Sequence, residues 1–281
     1  MRRVRHACLG IALFSFASAQ AAQTEDSPGP FRIIGNIYWV GGEYGAYLIT
    51  TPEGHILHDT GTSEMHELIV ANIEQLGFDP RDIEIMISSH AHFDHVQGHA
   101  AMKALTGAQV VALGGDAEAL EAGVDNSAGG FPGLIAVDVD RVIEDGDEVT
   151  LGGVTLRALW TPGHTQGATM WLTTVEENGG NYSVAFRGGE IPNDGVPLIG
   201  NPRHASVVED TQMTLQRLQD SEPPDLLLHN HPQDLGRPLD ADLPVNPACV
   251  TCVDAEGWTD MLARAEAQFA KNLAEARANQ E

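Results

Sequence analysis

Basic residues are scarce in this chain. Its 281 residues carry 15 Lys and Arg against 40 Asp and Glu, a formal charge of −25 at neutral pH. Nucleic acid and anionic membrane surfaces both need basic patches, so the balance argues against either partner and says little about chemistry. Long hydrophobic runs are missing as well. The apolar stretch within MRRVRHACLGIALFSFASAQAAQ is too short to span a bilayer. A basic beginning and the small residues Ala17, Ser18, Ala19, Ala21 and Ala22 at its end follow the order of an export signal. Residues 1–22 are therefore expected to be a signal peptide and the mature chain periplasmic. A buried N-terminal helix and a retained anchor are the competing readings, and no lipid-attachment pattern precedes Cys8.

Cysteine is nearly absent, with three in the chain. Cys8 leaves with the signal, and Cys249 and Cys252 in NPACVTCVD remain as an even pair in an oxidising compartment, where a small-loop disulfide is expected. A zinc site or redox CxxC is the alternative, but there is no second CxxC and no thioredoxin-like strand-to-helix context. No GxSxG motif is present either, which removes the serine nucleophile of that motif from consideration. No low-complexity linker divides the chain, so residues 23–281 read as one domain.

What is present is β-rich sequence alternating with amphipathic helix. FRIIGNIYWVGGEYGAYLITTPEGHILHDT, residues 31–60, is broken by turn signals into an antiparallel meander. Met65, Leu68, Ile69, Ile73 and Leu76 recur at helical spacing, with Ser63 expected as N-cap. Strands follow at 83–89 and 109–113, with helices at about 96–105 and at DAEALEA. A second β-rich block after Val137 leads to a helix over 206–219, a strand over 225–229 and a last helix over 255–277, which places Trp258, Leu262, Ala265 and Phe269 on one stripe. The order predicts an α/β fold in which two sheets pack face to face with helices on both outer faces, a four-layer αββα sandwich.

The chemistry concentrates in SSHAHFDHVQGH, residues 88–99. Lone histidines are mostly solvated surface groups, but His90, His92, Asp94 and His95 are too dense for that. Zinc takes imidazole nitrogen and carboxylate oxygen at about 2.0–2.2 Å. Alternate residues such as His90 and His92 point the same way from an extended stretch and can converge on one ion, leaving Asp94 and His95 for a second. His164 in TPGHTQG and His231 in LLLHNHPQD also follow apolar strands, and a sheet gathers its strand ends on one rim.

HAHFDH resembles the His-x-His-x-Asp-His motif of the metallo-β-lactamase superfamily, with ILHDTG, TPGHTQG and LLLHNHP in its expected order. The resemblance runs from Phe31 to the last helix. Within it, NIEQLGFDPRDIEIMISSHAHFDHVQGH is similar to the third subclass of class B β-lactamases, subclass B3, whose second zinc is held without cysteine. The resemblance implies two Zn2+, one on His90, His92 and His164 and one on Asp94, His95 and His231, with His229 competing for the last place. It implies that Asp59 orients a ligand histidine. His55, His58, His66, His99 and His204 read as structural or surface residues.

By the same resemblance the chain is expected to be a metallo-β-lactamase. A hydroxide generated between the metals would open the ring of penicillins, cephalosporins and carbapenems, with Asp94 holding the nucleophile. A small-molecule substrate is then the expected partner, and a monomer the expected state. The loop 123–133 with Phe131, and the tip at Glu43 and Tyr44, would border the site, or the loop would be a plain connection. One stretch departs from the subclass: RGGEIPNDG follows YSVAF where those enzymes usually carry a serine-containing segment. Glu190 there either bridges the metals, which would favour lactone, thioester or phosphodiester substrates, or is an ordinary surface glutamate. Asn193 or Arg203 would then contact a substrate carboxylate.

Overall fold

The computed structural model describes residues 29–231 and 255–280. The expected signal peptide, 1–22, and the expected Cys249–Cys252 pair lie outside them. The first sheet holds seven strands in sequence order: β1 Phe31–Ile34, β2 Ile37–Trp39, β3 Tyr47–Thr51, β4 Gly54–His58, β5 Ile83–Ile87, β6 Gln109–Leu113 and β7 Arg141–Ile143. β1 to β4 form the antiparallel meander, and β4 to β7 run parallel. The second sheet is built from β8 Glu148–Leu151, β9 Val154–Trp160, β10 Thr169–Glu177, β11 Gly180–Phe186 and β12 Leu226–Leu228, in the spatial order β12-β11-β10-β9-β8. The second β-rich block of the sequence is thus split, because its first strand joins the first sheet beside β6.

The helices are α1 His66–Gln75, α2 Phe93–Val96, α3 His99–Thr106, α4 Gly114–Ala122, α5 Val207–Gln219 and α6 Ala255–Ala278. Trp39, Ile56, Val111, Val149, Trp171 and Phe186 come from both sheets into one core between them. A second core sets Ile69, Ile73, Met102 and Leu120 of the first helices against Leu48, Leu57 and Val110 on the outer face of the first sheet. On the far side, Leu218, Trp258 and Leu262 cover Met170, Ala185 and Leu227. The layers are therefore helix, sheet, sheet, helix, which is the expected αββα sandwich. The stripe read from α6 is the buried one: Trp258, Leu262, Ala265 and Phe269 all lie inside. Among the described residues no helix is long and apolar enough to cross a membrane.

Two local expectations fail for identifiable reasons. Ser63 does not cap α1; it opens a short 3-10 turn, Ser63–Met65, and its backbone N–H and hydroxyl both donate to Gln97 Oε1 instead. The helix expected over 96–105 is broken into α2 and α3 at Gln97 and Gly98, since Val96 forms a bridge with Gly61 and a Cβ on Gly98 would lie 2.8 Å from the Thr60 carbonyl oxygen. That break lets the chain turn from the histidine-rich loop onto the outer face of the sheet.

Direction matters more than strand count. β4 is parallel to β5, β11 is parallel to β12, and β9 and β11 both run opposite to β10. Within each sheet, the strands followed by chemistry-bearing loops end on the same edge. Open sheets carry their sites at such carboxyl ends. Trp171 ties the sheets together there: its buried indole N–H donates to the Ser88 carbonyl oxygen at 2.9 Å, two residues before His90. Trp171→Phe keeps most of the apolar burial but orphans that carbonyl, and is expected to cost about 1–3 kcal/mol in urea denaturation.

Candidate metal centre

The loop after β5 begins at Ser88 and carries His90 and His92; α2 then presents Asp94 and His95. The turn after β9 carries His164 and the segment after β12 carries His231. These six residues fall into two groups, His90 with His92 and His164, and Asp94 with His95 and His231, each with its ligand atoms within 4.8 Å of one another. His229 is outside both groups; its Nδ1 lies 3.4 Å from Arg187 Nη1, and its carbonyl oxygen accepts a hydrogen bond from the Tyr47 hydroxyl.

The second group can be measured against the size of a cation. His95 Nε2 is 3.2 Å from His231 Nε2, and Asp94 Oδ2 is 3.4 Å from the first and 3.7 Å from the second. Ligand atoms on a tetrahedron of radius about 2.0–2.2 Å are about 3.3–3.6 Å apart, so the triangle matches one face of such a shell. In the first group, His90 is 2% exposed and its Nε2 has no hydrogen-bond partner. Buried ring nitrogens are rarely left so, and a cation would satisfy this one.

Hydrogen bonds from the far side of each ring fix which nitrogen faces inward. Asp59 Oδ2 accepts from His95 Nδ1 at 3.0 Å and from the Ser89 hydroxyl at 2.8 Å, while its Oδ1 accepts from the Ser89 N–H at 2.7 Å. His164 Nδ1–H donates to the Ile191 carbonyl oxygen at 2.7 Å. His90 Nδ1 is 3.1 Å from Ser89 Oγ. These partners leave the Nε2 atoms of His90, His95 and His164 for the centre. His92 is reversed: its Nε2 lies 3.2 Å from Ser127 Oγ, which leaves Nδ1.

Electrostatics follow from crowding. Burial, followed by neighbouring imidazoles, pushes His90 and His92 well below the ordinary histidine range, and burial also lowers His164, so all three are neutral with lone pairs available at pH 7. His95 goes the other way. Burial opposes its charge, but the Asp59 and Asp94 carboxylates outweigh that and raise it to about 9. Burial would raise Asp94 too, yet His95 and His231 hold it well below the usual carboxylate value.

Asp59 sits at φ +59°, a left-handed conformation that Asp tolerates better than most residues. It is fully buried; burial would raise its carboxyl, but His58, His95 and the Ser89 N–H hold it below the usual value. Tyr44 packs edge-on against His231 and His95, with ring centres 5.6 and 6.4 Å away, and Phe131 against His92 at 5.2 Å. The loop bearing Phe131 is more than a connection, since buried Asp125 accepts from the N–H groups of Ser127 and Phe131 and so holds Ser127 against His92. A cavity of about 330 Å³ opens beside His90, His164 and His231, with Asn193 exposed on its rim. Arg203 is absent from that lining and lies along the Gly130 backbone. Glu190 is not at the surface: it is 1% exposed, and Arg187 Nε meets both of its oxygens at 2.9 Å.

Residues to which the sequence assigned no part in the site also hold it together. Asp116, at the start of α4, accepts from the Ala91 N–H at 2.7 Å, the Thr165 hydroxyl at 2.9 Å and the Gly167 N–H at 2.8 Å, clasping the two histidine loops. Burial pushes its carboxyl up to about 6. Its only signal in the sequence is an aspartate after a strand, GGDAEAL, indistinguishable from a helix-starting acid. His99 supports the rear: its Nδ1 is 2.8 Å from Thr60 Oγ1, and burial lowers it to about 4. Its unfolded value is about 6.5, so the folded chain refuses a proton that the unfolded chain takes. Its contribution is complete above pH 6.5 and is lost as pH falls towards 4. Between pH 7 and 5 this amounts to about 2 kcal/mol. The check is an imidazole NMR titration, in which His99 should stay neutral at pH 5.

A family model described as the metallo-beta-lactamase superfamily matches residues 44–174. Among solved structures, BJP-1, a subclass B3 metallo-β-lactamase of Bradyrhizobium japonicum, is 34% identical, with a TM-score of 0.83 over 91% of this chain and 98% of that one. FEZ-1 from Legionella gormanii is 29% identical, with a TM-score of 0.83 over 90% of this chain and 99% of its own. Curated relatives match more locally. A hydroxyacylglutathione hydrolase of Rhodospirillum rubrum is 34% identical over 101 residues, covering 36% of this chain, and an N-acyl homoserine lactonase of a Bacillus species is 30% identical over 156 residues, covering 47%. Those matches span 32% and 59% of the relatives' own lengths. At 34% identity over almost the whole of BJP-1, the chain belongs to the metallo-β-lactamase superfamily, and its structural neighbours include subclass B3 enzymes.

Proposed function

We propose that the chain is a dizinc hydrolase that opens the β-lactam ring of penicillins, cephalosporins and carbapenems. His90, His92 and His164 would hold one zinc, and Asp94, His95 and His231 the other. Zinc held by these residues would supply Lewis acidity, making hydroxide available at neutral pH and polarising the lactam carbonyl. The chain's own groups do the rest. Asp59 and the Ile191 carbonyl keep His95 and His164 in one tautomer each. Asp94 would accept a hydrogen bond from the attacking water and orient it. Tyr44 and Phe131 wall the two ligand groups with apolar rings that limit water.

The observation that carries the choice of substrate is Glu190. A carboxylate shared by both metals would favour lactone, thioester or phosphodiester chemistry, and this one is engaged by Arg187 instead. The almost full-length match to subclass B3 enzymes supports the same reading. The local matches to a glutathione thioester hydrolase and a lactonase favour a second reading, in which the same centre cleaves thioesters or lactones. A chromogenic cephalosporin, a homoserine lactone and a glutathione thioester assayed on one zinc-loaded sample separate them. The first reading expects cephalosporin turnover that chelator stops and zinc restores. Turnover confined to the lactone or thioester would replace it.

Export to the periplasm is part of the proposal and rests on the basic, apolar and small-residue order of residues 1–22. Action as a monomer is the accompanying expectation, which light scattering would check.

A further inference from the structure

The segment after β11 is built around His164 in three ways at once. Gly189 has φ +96°, and a Cβ there would lie 2.9 Å from His164 Cδ2, so bare backbone is laid against the imidazole edge. Two residues on, the Ile191 carbonyl oxygen receives the His164 Nδ1–H at 2.7 Å. Between them stands Glu190, 1% exposed, gripped by Arg187 through Nε to both oxygens at 2.9 Å and Nη2 to Oε2 at 2.7 Å. Arg187 is itself fixed to the end of the sheet, because its backbone N–H donates to the Leu228 carbonyl oxygen of β12 at 2.9 Å.

Burying a carboxylate away from water is costly, and it is tolerated where a matched cation forks onto it. The pair spans three residues, closes the loop 187–190 on itself, and leaves Ile191 at the next position. A loop held at both ends by an ion pair and a sheet bond has little freedom to move the carbonyl that orients a ligand ring.

We propose that the Arg187–Glu190 pair is a positioning device for His164: it fixes the Gly189 backbone and the Ile191 carbonyl, and through them sets how firmly the His90, His92 and His164 group holds its cation. This rests on the metal-binding part of the reading above and is independent of the substrate. The pair acts through the loop backbone, so Glu190 is no ligand and its charge alone is not what matters.

The test uses the zinc-loaded protein and follows the rate at which a competing chromophoric chelator withdraws each of the two ions. Partners that orient ligand histidines typically contribute about 10–100-fold to metal affinity, and a pair one step further out is expected to contribute about 10-fold. Arg187→Met and Glu190→Gln should each speed release of one ion by about that factor and leave the other within about 2-fold. His164→Ala identifies which ion is affected. The double variant, which removes both charges, should be as leaky as either single one, because the loop is then equally unheld.

Recovery of native zinc retention in the double variant would overturn the proposal, by showing that an unpaired charge caused the single effects. Loss of zinc in Glu190→Gln but not in Arg187→Met would also overturn it, by making Glu190 a ligand. Should a single variant fail to fold, Arg187→Lys takes its place; it keeps the charge without the fork and should still release the same ion faster. A protein that retains two zinc ions natively and turns over no β-lactam would sink the proposed substrate while leaving this test unaffected.

Discussion

Replacing His90 with alanine is expected to lower cephalosporin kcat/KM by about 10⁴-fold, close to 5.5 kcal/mol of transition-state stabilisation. The size follows from the geometry. His90 lies at the meeting point of the two groups, with ring centres 4.1 Å from His95, 4.4 Å from His164 and 4.7 Å from His92. Its Nε2 has no protein partner to fall back on. Without it, the first group is left with two nitrogens, too few for a tetrahedral site that must keep a position open. Stopped assays with added zinc, set beside far-UV circular dichroism, check that activity is lost and the fold retained. Full activity in this variant would mean that the first group is no part of the reaction.

Alanine at Asp59 should have the largest effect on stability, about 3–5 kcal/mol in the absence of zinc. Two losses combine in stability, and a third effect falls on zinc binding. The Ser89 N–H and hydroxyl both lose a buried acceptor. Alanine must adopt φ +59°, which costs about 1–2 kcal/mol. His95 loses the carboxylate that fixes its tautomer, so the second zinc should bind about 10–100-fold more weakly. Asp59→Gly isolates the terms: glycine relieves the backbone strain but restores no acceptor, so it should recover part of the stability and none of the zinc affinity. Urea denaturation and zinc titration of both variants supply the numbers. Equal zinc affinity in native and variant protein would exclude Asp59 from the orientation of His95.

How far the sequence reveals this molecule can be read from particular residues. HAHFDH announced a cluster because histidines at alternate positions, followed by an Asp-His pair, are too dense to be surface decoration. His164 and His231 were legible because each follows an apolar strand, so knowing strand ends was enough to bring them near. Asp59 was legible through the family resemblance as a carboxylate that orients a ligand histidine, and its αL backbone only in the structure. The buried acids were not legible. Asp116 and Asp125 look like any of the chain's 40 acidic residues, and Glu190 stood out in the sequence without the Arg187 fork that holds it; their roles depend on which N–H, hydroxyl or guanidinium the fold brings up. Arg187 pairs only three positions away, but a local spacing cannot tell a buried clamp from a solvated ion pair. In the fold, periodicity located the helix and strand centres, whereas the break at Gln97 and Gly98 and the transfer of β7 to the first sheet came from tertiary contacts with no local signature.

Counting zinc per chain by elemental analysis tests the account most directly. Native protein exchanged against excess zinc and desalted should carry two ions, and His164→Ala and His231→Ala should each carry about one. Native protein that retains none, or variants that retain both ions, would contradict a centre built from these six side chains.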